Sequence, residues 1–424
     1  KNKIATLKQR LLAFIWAFFW KSSLAFIAFM VIAGIYFDKK IERKLDGSAW
    51  TLPAQVYARP LLIKPHQTLT QQALIAELKL LNYRPVKKVN GAGQFSVKGN
   101  KVEVYRRAFE FPEGIEVKKR AGITFDGNVV TTIKESTGNS LNDFKLDPLL
   151  LSRLHSDQIE DRVFVPFEKI PDLFIDTLLL MEDRDYYHHQ GVSPFAIARA
   201  FIVNFNAGYT VQGGSTLTQQ LAKNLFLTQE RSLWSKFQEA YMAVLMDYKY
   251  SKDKLLEAYL NEVYLAQNGK TGVHGIGLAS DFYFARPINE LRIEQVALLV
   301  AIIKGPSYYN PRRNPERALA RRDLVLRLMV ENSLINSNDY KYAVADPLRL
   351  SDKSALNQRT NPAFISLLHR EMKRQVPASV RQQSGLHIFT SIDPLAQKHA
   401  EFAVSTGLDK VDKNQQQLLQ GAMV

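Results

Sequence analysis

Glu182 closes an apolar stretch, Asp172–Met181, and opens the polar run Asp183-Arg184-Asp185-Tyr186-Tyr187-His188-His189. A carboxyl placed where a buried helix runs out into a polar loop loses hydration, and its pKa rises. A general base or acid working near neutral pH needs such a shift. A surface carboxylate paired with Arg184 fits this segment equally well. His188 and His189 are adjacent and lack a third ligand at regular spacing, so they read as structural.

A second group of chemical residues follows the glycines Gly213 and Gly214: Ser215-Thr216-Leu217-Thr218-Gln219-Gln220-Leu221-Ala222-Lys223-Asn224. Thr216 and Gln219 form a capping box, which predicts a helix starting at Ser215 or Thr216. Leu217, Leu221 and Leu225 share its buried face, and Thr216, Gln220 and Lys223 share the other. Free N–H groups at a helix start, two hydroxyls and a lysine one turn on suit a phosphate or diphosphate. An ordinary capped helix has the same sequence. A third group lies on a helix predicted over residues 232–248, where Trp234, Phe237, Tyr241, Val244 and Tyr248 form the apolar stripe. Ser232, Lys236, Glu239, Ala243 and Asp247 fall together on the other side. Lys236 and Glu239, at i and i+3, make either a cleft wall or an exposed ion pair of little energetic weight.

The elements that must hold these residues are mostly helical over 160–335. An apolar segment, Pro194–Phe205, precedes the glycines and suits either a lipid tail or the domain core. A helix is expected over Ser251–Ala266, carrying Glu257, Asn261 and Glu262. It is followed by a glycine-rich loop, a helix through residues 278–286, one over Leu291–Lys304, and one opened by Asn314-Pro315. Upstream, residues 55–150 read as a small α+β domain. Thr68-Leu69-Thr70-Gln71 caps a helix there, and hairpins turn at Gly99-Asn100 and Asp126-Gly127. This domain holds no catalytic cluster, so binding or regulation is its expected role. Lys118-Lys119-Arg120 within it reads as a solvated strand end.

The chain has 424 residues, 46% of them apolar, which suffices for several cores. With 56 Lys+Arg against 41 Asp+Glu it points to an anionic partner. The charge is spread along the chain and forms no basic block, so nucleic acid is not expected. Cysteine is absent, which excludes disulfides, Cys-based zinc sites and a Cys nucleophile. Residues 22–40 read as a transmembrane helix and 1–21 as a cytoplasmic or interfacial segment. Lys1, Lys3, Lys8, Arg10 and Lys21 precede the span without an acidic residue, so the N-terminus is expected in the cytoplasm.

Glu182-Asp183-Arg184 with Tyr186, His189 and Gly191, the run 213–224, the Lys236/Glu239 pair, and Lys254-Leu255-Leu256-Glu257-Ala258-Tyr259-Leu260-Asn261 occur in one order. In that order they resemble the peptidoglycan glycosyltransferase domain of class A penicillin-binding proteins. The membrane helix, small domain and tail are similar to the b-type bifunctional enzymes. The resemblance implies a multidomain chain: a transmembrane helix, a small α+β regulatory domain, a mainly α lysozyme-like glycosyltransferase domain, and the start of a transpeptidase domain in residues 336–424, with its active-site serine beyond them. It also implies polymerisation of lipid II at the bacterial inner membrane, with single-pass topology and periplasmic catalytic domains. Glu182 then matches the general base for the acceptor 4-hydroxyl. Ser215, Thr216, Gln220, Lys223 and Asn224 match the donor and diphosphate site. Lys236 and Glu239 match the pair serving the leaving diphosphate, with Glu239 acting directly or through Mg²⁺ or Mn²⁺. Implied partners are the growing glycan strand, an outer-membrane lipoprotein activator within residues 57–145, and cell-division or elongation proteins.

The sequence departs from the family pattern at Ser235, where arginine is usual, at Ala266 and Ala285, where glycine is, and at His274, where arginine often stands. Ser251-Lys252-Asp253-Lys254 and Lys270-Thr271-Gly272 copy penicillin-site signatures, but they lie inside the glycosyltransferase motifs and read as coincidence. A lytic glycan-cleaving enzyme using Glu182 as acid and a non-catalytic cell-wall scaffold are the rival readings.

Overall fold

The computed structural model describes residues 2–46, 54–154, 163–208, 213–227, 232–269, 271–351, 362–381 and 385–411. Helix α1 runs unbroken over Asn2–Leu45, so the segment expected over 1–21 and the span expected over 22–40 are continuous parts of one helix. The segment contains no proline, and Lys21-Ser22-Ser23 is too short a polar run to stop a helix. From Phe18 to Leu45 the helix is long and apolar enough to cross a membrane. Beyond the apolar run it is part of the fold. Phe37, Ile41 and Leu45, at i, i+4 and i+8, are buried in the main core. On another face Asp38 meets Lys249 at 2.8 Å and Asp46 meets Lys254 at 2.7 Å.

The small domain is built on helix α2 (Gln71–Leu80), whose N-cap is Thr70; the expected cap lies two residues into its predicted quartet. After β1 (Ala54–Tyr57) and β2 (Leu62–Ile63), five strands form one sheet in the order β3 (Arg84–Pro85), β4 (Gln94–Lys98), β5 (Lys101–Arg106), β8 (Lys119–Asp126), β9 (Val129–Glu135). Both predicted hairpins are in register, Val97 opposite Val102 and Asp126 opposite Val129. Leu74, Leu78, Phe95, Val104, Ile123 and Ile133 fill the space between sheet and helix. Arg120 pairs with Glu103 across the strands at 2.9 Å. The short pair β6 (Phe109–Phe111) and β7 (Gly114–Glu116) sits beside the sheet, and β10 (Phe144–Lys145) pairs with β2. β1 is the middle strand of a separate sheet, antiparallel to β11 (Leu150–Leu154) and parallel to β14 (His387–Phe389). The tail thus returns to the start of the small domain. Arg59 fixes that closure on Asp393 at 2.6 Å.

The next domain is helical: α3 (Asp172–Glu182), α4 (Pro194–Ala207), α5 (Leu217–Phe226), α6 (Leu233–Lys249) and α7 (Lys252–Glu262), then α8 (Ile276–Phe284), α9 (Ile293–Ile303), α10 (Pro315–Glu331) and α11 (Ser337–Ala345). Helix α9 is buried along nearly its whole length and forms the centre. One expectation fails. The helix predicted through Ala266 stops at Glu262, and β12 (Tyr264–Asn268) pairs antiparallel with β13 (Thr271–His274). Asn268-Gly269, with Gly269 at φ 58°, is a hairpin turn signal between two short apolar runs. The apolar stripe of α6 is only partly covered. Trp234 and Tyr248 are exposed, whereas Glu239, Met242, Ala243 and Met246 are buried. Part of the stripe packs on α1 instead: Phe29 on Trp234, Phe37 on Tyr241, and the Tyr241 hydroxyl donating to the Met30 carbonyl at 2.7 Å. Gly34 is needed at that crossing, since a Cβ there would come 2.7 Å from the Tyr241 hydroxyl. Helix α12 (Pro362–Gln375) and helix α13 (Pro394–Val411) complete the described chain.

Candidate active site

Glu182 is the last residue of α3 and faces a cleft of about 1420 Å³. Its carboxyl is pushed above the ordinary glutamate range, first by burial and against the pull of Gln220, Lys304 and Arg321. The sequence expectation of desolvation therefore holds, while the Arg184 pairing does not: the Arg184 Nε donates to the Leu180 carbonyl. Gln220 holds Glu182 in place. Its Nε2 donates to Glu182 Oε2 at 3.2 Å, and its Oε1 accepts from the buried Tyr259 hydroxyl at 3.0 Å. A donor on the carboxylate and a donor on the amide oxygen fix both orientations at once.

The capping box at Thr216 forms in full. It engages the Thr216 hydroxyl and amide within the fold. Thr216 Oγ1 accepts from Gln219 N and donates to the Gly191 carbonyl at 2.5 Å, and Leu217 N donates to Asp183 Oδ2 at 2.9 Å. Asp183 also meets His189 Nε2 at 3.0 Å. Thr216 and Asp183 are thus buried positioning residues. They lock α5 to the loop after α3, and no donor among them is left for a phosphate. Gly191 makes this closure possible, since a Cβ there would meet the Ala243 carbonyl at 2.3 Å and its φ is +78°. Ser215, Lys223 and Asn224 do line the cleft, with Arg199 from α4 and Lys304 from the end of α9.

Beside this wall Lys236 Nζ lies 2.6 Å from Ser215 Oγ and donates to the buried Glu239 carboxylate. Glu239 is buried and Lys236 half exposed, and the pair is joined to the α5 entry through Ser215. Ser235 bonds Ser232 Oγ through its own N–H at 3.0 Å, so it serves the helix cap where a second cation was expected. Asn261 and Glu257 are structural. Asn261 exchanges bonds with the Val165 N–H and carbonyl at 2.7 and 2.9 Å, and Glu257 accepts from Phe167 N at 2.7 Å. Ser251 is the N-cap of α7, which explains its place in the Ser-x-x-Lys run; Lys270 lies outside the described residues. A resident divalent cation does not fit this donor set. Among the described residues there is no group of three ligands, and Lys236 already neutralises Glu239.

Sequence reasoning missed Arg199, Lys304 and Arg321. Lys304 had a readable signal, since it ends an apolar helix as Glu182 does. Pro194–Phe205 is not core. Phe195, Phe201 and Phe205 of α4 are 86, 71 and 77% exposed beside the cationic end of the cleft.

The family profile described as "Transglycosylase" matches residues 149–330, and that of the "Bifunctional transglycosylase second domain" matches 63–146. The chain is 45% identical to penicillin-binding protein 1B of Vibrio cholerae over 97% of its own length and 53% of the relative. It is 44% identical to penicillin-binding protein 1B of Escherichia coli over 93% of its length and 47% of the relative. A penicillin-binding protein 1A structure from Haemophilus influenzae aligns at TM-score 0.29 and 19% identity, over 68% of this chain and 31% of that one. The chain spans about half the length of the curated relatives it matches. A helix able to span a membrane, the second domain and the transglycosylase domain follow one another in that order, and over nearly its whole length the chain is similar to penicillin-binding proteins of the 1B type.

Proposed function

We propose that this chain is a membrane-anchored peptidoglycan glycosyltransferase that polymerises lipid II into glycan strands. The observation that carries the reading is Glu182, desolvated at a helix end and oriented by Gln220, in one cleft with Ser215, Lys223 and Asn224. In the proposed step Glu182 takes the proton of the acceptor sugar's 4-hydroxyl as that oxygen attacks the donor's anomeric carbon. The bond to the diphosphate breaks on the opposite face, inverting the centre. Undecaprenyl diphosphate leaves toward the cations. Lys223, Lys236 and Arg199 stabilise the charge that develops there, as fixed cations in a partly dry cleft do. Mg²⁺ or Mn²⁺ would come as the diphosphate's own counterion and would offset charge on the leaving group. The exposed apolar face of α4 suits the lipid tail, and the N-terminus of α1 is proposed to lie in the cytoplasm with the folded domains across the inner membrane.

Replacing Lys223 or Lys236 by alanine is expected to lower kcat/KM for lipid II by about tenfold or more, each removing a charge-assisted contact of about 1.5–3 kcal/mol. Unchanged kinetics in both would remove the diphosphate assignment. A lytic enzyme using Glu182 as acid would have no use for these cations. We also propose the small domain as the seat of an outer-membrane lipoprotein activator within residues 57–145, and cell-division or elongation proteins as further partners. Deleting the domain should abolish cellular activity, and a deletion strain with normal wall synthesis argues against the activator.

A further inference from the structure

A second cavity, of about 700 Å³, lies between the small domain and the helical domain and shares no lining residue with the catalytic cleft. Arg84, Tyr105 and Lys118 line it from the small domain, and Arg286, Glu290 and Arg292 from the segment between α8 and α9. Two arginines cross the junction in opposite directions. Arg84 Nη2 donates to the Glu290 carbonyl at 3.1 Å, and Arg286 Nη1 donates to the Asn82 carbonyl at 3.3 Å. A guanidinium carries five N–H donors, so one carbonyl leaves most of each fork unspent.

The carboxylates nearby do not balance this charge. Glu290 is shared between Arg107 and Arg286, the latter at 3.8 Å, and Asp346 between Arg292 at 3.0 Å and Arg349 at 2.6 Å. Asp339 accepts from the Asn336 amide at 2.6 Å. Glu294 lies 3.8 Å from Arg292, and burial pushes its carboxyl up, toward the neutral form. Among the described residues neither Arg84 nor Lys118 has an ion-pair partner. The cations feel the crowding: burial and then Arg84 push Arg286 down to about 10, and burial with Arg292 lowers Arg84.

We propose that this cavity is a phosphate-ester site that clamps the two domains together. Arginine forks bind phosphate oxygens in pairs, and a dianion supplies the charge that Arg84 and Lys118 lack. The Arg84 and Arg286 forks come from opposite sides of the junction, so the ligand binds the docked domains. By mass action it stabilises that docking. The cavity is larger than a bare phosphate fills, and Asn90, Asn289 and Tyr105 add neutral donors and acceptors to its lining. That suits the hydroxyls of a soluble ester such as a sugar phosphate. The site does not rest on the glycosyltransferase reading, since no residue of the catalytic cleft lines it.

The test titrates glucose 6-phosphate, with glucose as the uncharged control, into the purified protein in detergent by calorimetry. The wild type should bind the ester and not glucose. Arg84→Gln should lose about tenfold or more in affinity, the worth of a charge-assisted contact. Lys118→Ala should lose about threefold, as an exposed charge does, and Lys223→Ala, in the catalytic cleft, less than about twofold. The Lys118 side chain is exposed and holds no bond among the described residues, so its variant stays informative if Arg84→Gln loosens the domains. Saturating ester should also move the urea unfolding of the small domain to higher denaturant in the wild type but not in Arg84→Gln. No binding by the wild type, or affinities unchanged in both Arg84→Gln and Lys118→Ala, would overturn the site. A loss confined to Lys223→Ala would put the ester in the catalytic cleft and overturn it equally.

Discussion

Glu182→Gln should lose about 10²–10⁴-fold in kcat on lipid II, the usual contribution of a general base, while lipid II still binds. Glutamine keeps the shape and the bond to Gln220 but cannot accept the proton. Because burial raises the Glu182 carboxyl, the acid limb of kcat/KM should lie above the pH at which an ordinary glutamate titrates, about 4.3. The sign is fixed by role: the base works ionised, so activity rises with pH through that raised value. Lys304 pulls it down. Lys304→Ala should therefore move the limb to higher pH, whereas a residue that merely held substrate would change the rate without moving the limb. A full-rate Glu182→Gln, or a limb indifferent to Lys304, removes Glu182 from the base role.

Arg107→Ala should release the small domain from the helical one. The guanidinium donates to Glu290 in the helical domain through Nη2 at 3.0 Å and through Nε, and to Asp147 through Nη1 at 3.1 Å. It also lies 4.4 Å over the Tyr83 ring. Burial would lower its pKa, but the two carboxylates outweigh that and hold it more firmly charged than a free arginine. Gly93 lets the domains close, since a Cβ there would fall 2.4 Å from the Glu290 carboxylate. Deleting the arginine takes the nearest cation from two carboxylates that are each about 9% exposed or less, leaving Asp147 the Tyr83 hydroxyl and Glu290 the more distant Arg286 at 3.8 Å. Breaking one side of a buried pair costs about 3–5 kcal/mol. Urea titration should show the small domain unfolding earlier by about that amount, in a transition of its own. Glu290→Gln should cost less, because the amide still accepts from Arg107. A shift under about 0.5 kcal/mol in Arg107→Ala would mean that the interface is held elsewhere.

Local patterns were legible where one segment carries both the signal and its consequence. The Thr216–Gln219 box, the Ser251 cap, Pro315 at a helix start and both small-domain hairpins are of this kind. What failed was set by partners distant in sequence. Periodicity put Thr216 and Gln220 on an open polar face, but Asp183, Gly191 and Tyr259 spend their bonding capacity on the fold. The α6 stripe packs in part on α1, since an apolar face can seek a membrane helix as readily as a core. Ser215, Lys223 and the Lys236–Glu239 pair were identified from residue type and spacing, and they line or adjoin one cleft. Lys304 and Arg321 reach Glu182 only through tertiary packing that spacing does not encode. The β12–β13 hairpin was lost by extending α7 through Tyr264, although Asn268-Gly269 marked the turn.

The central claim is tested most directly by giving the purified chain labelled lipid II with Mg²⁺ and, in parallel, finished peptidoglycan. The account predicts long glycan from lipid II, absent in Glu182→Gln and sharply reduced in Glu239→Gln, with nothing released from the finished polymer. Fragments released from peptidoglycan without any strand synthesis would contradict it and make Glu182 the acid of a lytic enzyme.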